Sequence, residues 1–77
     1  MLSMRVYDVD GNRHPDFEVQ LDTVREPEDF YTNFARRTLR TIRTAGNTEA
    51  FTVAFFDDGR RIVSWSMVQE SARMAVE

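Results

Sequence analysis

Residues 51–65 read Phe51-Thr-Val-Ala-Phe-Phe-Asp57-Asp58-Gly59-Arg-Arg-Ile-Val-Ser-Trp65. Two runs rich in β-branched and aromatic residues flank an Asp-Gly pair, the sequence signature of a β-hairpin. Loop length sets the register. A two-residue loop would put Phe56 opposite Arg61 and scatter the apolar side chains over both faces. A three-residue loop, with Gly59 left-handed, would put Phe51 opposite Trp65 and Val53 opposite Val63. The second choice gathers Phe51, Val53, Phe55, Val63 and Trp65 on one face, so the sequence predicts it. Thr52, Ala54, Phe56, Ile62 and Ser64 would then form the other face.

Upstream, residues 27–45 carry the clearest helical pattern. Pro27 suits a first-turn position, and Glu26, Glu28 and Asp29 place negative charge at the positive end of the helix dipole. At about 100° per residue, Phe30, Tyr31, Phe34, Ala35, Leu39, Ile42 and Ala45 fall on one side. Arg36, Arg37, Arg40 and Arg43 fall on the other, and Gly46-Asn47 supplies a stop. Before the helix, residues 4–9 alternate imperfectly, Asp10-Gly11-Asn12 is a turn, and residues 17–21 alternate strictly, with Phe17, Val19 and Leu21 inward. After the hairpin, Ser66 and Gln69 have capping-box spacing for a short helix. Met67, Val68, Ser71, Ala72 and Ala75 would share one side of it; Gln69, Glu70 and Arg73 would share the other.

The order is ββαββα. The fold class expected is α+β: a four-stranded, mainly antiparallel sheet with one long and one short helix packed on one face, as one domain over residues 1–77. The expected core is Phe17, Val19, Leu21, Phe30, Tyr31, Phe34, Leu39, Ile42, Phe51, Val53, Phe55, Val63, Trp65 and Val68.

A chain of 77 residues buries a modest core, and such chains often lean on disulfides, metals or a second subunit. There is no cysteine and one histidine, which removes disulfides and thiolate zinc sites and leaves self-association as the remaining aid. No stretch approaches the roughly 18 apolar residues of a membrane span. Arg5 and Asp8 interrupt the run a signal peptide needs, so a cytoplasmic setting is expected. The net charge is −3, and the ten basic residues are all arginine. A chain-wide arginine bias reads as GC-rich coding in a bacterium or phage rather than as one selected patch.

Asp8-x-Asp10-x-Asn12 copies the first ligand positions of an EF-hand calcium loop, but Arg13 replaces the required glycine and Val19 the bidentate glutamate. His14-Pro15-Asp16 matches the tripeptide of J-domains. There it follows a long helix, and here it follows a β-turn, so nothing of that family carries over. No nucleophile elbow, phosphate-cradling glycine loop or paired histidines occur. The expectation is a non-enzymatic protein with no cofactor, acting through protein–protein contacts as an accessory or inhibitory factor.

Two surfaces are singled out. The arginine face (Arg36, Arg37, Arg40, Arg43) has like charges at i, i+4 and i+7 with no acid at helical spacing. It reads as a solvated polar face with acids supplied from elsewhere in the chain, or as a site for an acidic protein partner or a second copy or, as the alternative, nucleic-acid phosphate. The second sheet face, with Ala54, Phe56 and Ile62, would suit self-association into a homo-oligomer.

Overall fold

The computed structural model describes residues 1–21 and 27–76; Glu26, expected in the acidic first turn, lies outside them. Its strands are β1 (Leu2–Tyr7), β2 (Val19–Leu21), β3 (Thr52–Asp57) and β4 (Arg60–Ser66). Its helices are α1 (Glu28–Thr44) and α2 (Met67–Val76). The sheet runs β2-β1-β3-β4, and every neighbouring pair is antiparallel. The fold is therefore α+β, with a long and a short helix on one side of a four-stranded sheet.

β1 starts earlier than its composition suggested and alternates cleanly. Leu2, Met4 and Val6 are buried, and Ser3, Arg5 and Tyr7 turn to the other face. β2 is only three residues long, because Pro15–Phe17 forms a 3₁₀ turn instead of extending the strand. α1 packs over β3 and β4, away from the β2 edge. That placement explains why Val19, expected inside, is 46% exposed.

Phe55 sits at the middle of the core, 1% exposed. Tyr31 packs against it at 5.3 Å between ring centroids and Phe34 at 5.8 Å. Ala35, Leu39 and Ile42 complete the inward stripe of α1. Truncating Phe55 to Ala would cost about 3–5 kcal/mol. Phe30, assigned to the core by periodicity, is exposed and packs on the neighbouring rings of Tyr31 and Phe34. α1 ends as its sequence demands. Gly46 takes φ +113°, the Asn47 N–H donates to Ile42 O and the Gly46 N–H to Arg43 O. These two bonds are a Schellman motif.

The β3–β4 hairpin corrects the expected register. Its loop is two residues, Asp58 and Gly59, both at positive φ (52° and 82°), as a type I′ turn requires. Phe56 accordingly faces Arg61. The apolar groups do not scatter, because a bulge follows at once. Ile62 is passed over, so Phe55 faces Val63 and Val53 faces Trp65. One extra residue moves the rest of β4 back into phase with the core. The chain thus meets the turn's demand and the core's demand separately.

α2 is also turned differently from the sequence reading. Val68 is 66% exposed, whereas Glu70 is 4% exposed. The Gln69 side chain accepts from the Ser66 N–H at 2.7 Å, which is half of the expected capping box.

Candidate functional site

The four arginines of α1 do not form one free stripe. Arg40 is ion-paired with Glu70 of α2. Arg43 donates to the carbonyl oxygens of Thr48 and Ala50, tying down the segment that leads into β3. Arg36 and Arg37 have no ion pair with the described residues, and Arg37 projects into solvent. Two of the four positions therefore hold the chain to itself.

The acidic β1–β2 loop is likewise turned inward on itself. Asp8 Oδ1 accepts from the backbone N–H of Asp10 and of Asn12, each at 2.9 Å. Its Oδ2 lies 3.3 Å from His14 Nε2. The Asn12 N–H, above all, holds the Asp8 carboxyl below the usual carboxylate range, helped by His14 and the Asp10 N–H. That carboxylate shapes the loop. Among the described residues no three His, Asp or Glu side chains are grouped so as to hold a metal ion.

The second face of the sheet is where polar and aromatic groups converge. Residues opposite one another share a face. Ser3 faces Gln20 and Phe56, Arg5 faces Ala54, Tyr7 faces Thr52, and Phe56 faces Arg61. The guanidinium carbon of Arg5 lies 4.3 Å from the centroid of the Phe56 ring, a cation–π contact. Tyr7 approaches the same ring at 6.5 Å, tilted by 55°. Arg61 donates to Ser64 Oγ on this face. At the β2 side, Arg13, the bridge partner of Tyr7, grips Glu18 with two bonds of 2.7 and 2.6 Å. Those bonds lower the Glu18 carboxyl below its ordinary range, with Arg13 dominant and the charge of Arg5 adding to it.

Of the three residues singled out for self-association, Phe56 is half-buried on this face. Ala54 is 1% exposed, and Ile62, at the bulge, is 43% exposed. Arg5 and Tyr7 lie in the expected strand 4–9, but nothing local in the sequence says that β1 pairs with β3, and that pairing is what brings them beside Phe56. The alternation in Leu2-Ser3-Met4-Arg5-Val6-Tyr7 puts both on the face away from the core, but it does not name the strand beside them. The chain matches no family model, no curated protein and no solved structure.

Proposed function

We propose that this chain is a small non-enzymatic binding protein, acting as an accessory or regulatory factor through protein–protein contact at the open face of its sheet. One observation carries the reading: both helices lie on one side, while the other side displays Arg5, Tyr7, Phe56 and Arg61 on three adjacent strands. Tyrosine, phenylalanine and arginine are the side chains enriched where proteins meet. The arginine flank of α1 is the weaker candidate, since Arg40 and Arg43 are already spent on internal bonds.

Affinity capture from a lysate of the cells that express the protein tests this. Phe56→Glu should lose the captured protein while its circular dichroism stays that of the parent. Arg36→Gln with Arg37→Gln should retain it. A partner held equally well by Phe56→Glu, or a capture made only of nucleic acid, overturns the proposal.

A further inference from the structure

Charge is unevenly placed on this molecule. The chain as a whole is −3, yet among the described residues the open face carries Arg5, Arg13 and Arg61 against one carboxylate, Glu18, which Arg13 already holds. By strand alternation Asp57 belongs with Phe55 on the other side. The Phe56 ring lies between two guanidinium-bearing neighbours, Arg5 resting on it from β1 and Arg61 opposite it on β4. Arg61 uses one terminal nitrogen on Ser64. Its guanidinium has further donors, and the residue is exposed.

We infer that the occupant of this face is an acidic segment of a partner protein, its carboxylates on Arg5 and Arg61 and an apolar side chain against Tyr7 and Phe56. This rests on the binding role proposed above and names the chemistry of the partner. Arginine forks match carboxylates in two-point geometry, and the aromatic pair supplies the desolvated centre that gives such contacts their strength.

The same geometry disfavours the two other occupants. A second copy would bring like-charged guanidinium groups face to face. A single nucleic-acid strand needs ring faces open for stacking. Here the Phe56 face is occupied by Arg5, and Tyr7 is tilted away from parallel with it.

The test is titration of the ¹⁵N-labelled protein with three probes: a short peptide of repeated Glu-Glu-Leu-Tyr, the same peptide with Lys for Glu, and a short oligo(dT). The acidic peptide should move the amide resonances of Ser3, Arg5, Tyr7, Ala54, Phe56 and Ser64. Arg5→Gln combined with Arg61→Gln should weaken that binding by about tenfold, equivalent to about 1.4 kcal/mol, and added salt should weaken it further. Stronger shifts with oligo(dT), equal binding of the basic peptide, or no response to the acidic peptide overturns the inference. So does sedimentation as a dimer that Phe56→Glu splits, which would make a second copy the occupant. If the cellular partner still depends on Phe56 while the arginine pair is dispensable, the acidic-segment inference falls and the binding role stands.

Discussion

The Trp65 indole Nε1–H donates to Glu70 Oε2 at 3.0 Å, across the junction where β4 becomes α2. The other oxygen of the same carboxylate takes the Arg40 guanidinium. One buried acid therefore fastens a strand and two helices together, and both of its oxygens are used.

Glu70→Ala removes this fastening and leaves the Trp65 N–H without its acceptor. An unsatisfied buried donor costs about 1–3 kcal/mol, and because Trp65 is half-buried the loss should lie at the lower end of that range. In a domain of this size that is a fall of about 4–8 °C in melting temperature for each kcal/mol. Thermal denaturation followed by circular dichroism measures it. A variant that melts with the parent would show α2 to be held by its apolar contacts alone.

The arginines of α1 should divide into two classes. Arg37→Gln should leave the unfolding free energy within about 0.5 kcal/mol of the parent, as substitutions of exposed residues usually do, Arg37 being exposed. Arg40→Gln strips the cation from a buried carboxylate. Half of the Arg40 side chain is in solvent, so the loss should be about 1–2 kcal/mol, below the about 3–5 of a fully buried pair. Equal melting of the two variants would sink this division.

This division marks where sequence reasoning ran out. The stripe on α1 was legible from its period, and so was the helix, because Tyr31, Ala35, Leu39 and Ile42 repeat faithfully. What covers Arg40 was not legible, because Glu70 lies thirty residues away in sequence and a glutamate in a short helix reads as a surface residue. The same blindness turned α2 over and exposed Val68. Val19 and Phe30 fail for another reason. Periodicity says which way a side chain points, and only the placement of α1 over β3 and β4 decides whether anything is there to cover it. The open face was half legible. Thr52, Ala54, Phe56 and Ser64 could be read from β3 and β4, whereas Arg5 and Tyr7 join them only through the pairing of β1 with β3, which no local pattern specifies.

The bulge at Ile62 makes an unusual prediction about a deletion. Removing Ile62 leaves Phe56 opposite Arg61 and Phe55 opposite Val63, the pairs already present, now without an interruption. The shortened hairpin should fold, with cross-strand nuclear Overhauser contacts between Phe55 and Val63 and between Val53 and Trp65. Loss of those contacts would mean that the extra twist of the bulge is required to seat β4 under α1.

Acid should weaken the β1–β2 region. Asp8 and Glu18 both ionise below their ordinary range in the folded chain, while in the unfolded chain they titrate near about pH 4. A depressed carboxyl pKa adds stability that is fully present above the unfolded value and is lost as pH falls through the folded one. The melting temperature should therefore fall below about pH 4. The fall should be shallower in Asp8→Asn with Glu18→Gln. An acid limb equally steep in that variant would assign it to other carboxylates.

The strand order has a consequence for how the molecule comes together. β1 pairs along its whole length with β3, from Leu2 opposite Asp57 to Tyr7 opposite Thr52, so the middle of the sheet joins segments about fifty residues apart. The local β3–β4 hairpin can close quickly, but the central ladder must wait for a long loop to close, which costs entropy before any contact repays it. During synthesis β1 leaves the ribosome first and remains without its longest partner until α1 and β3 have followed. Until then its apolar Leu2, Met4 and Val6 face and its unpaired backbone edge are open to strangers, so the nascent chain is most prone to misassociate before its second half emerges.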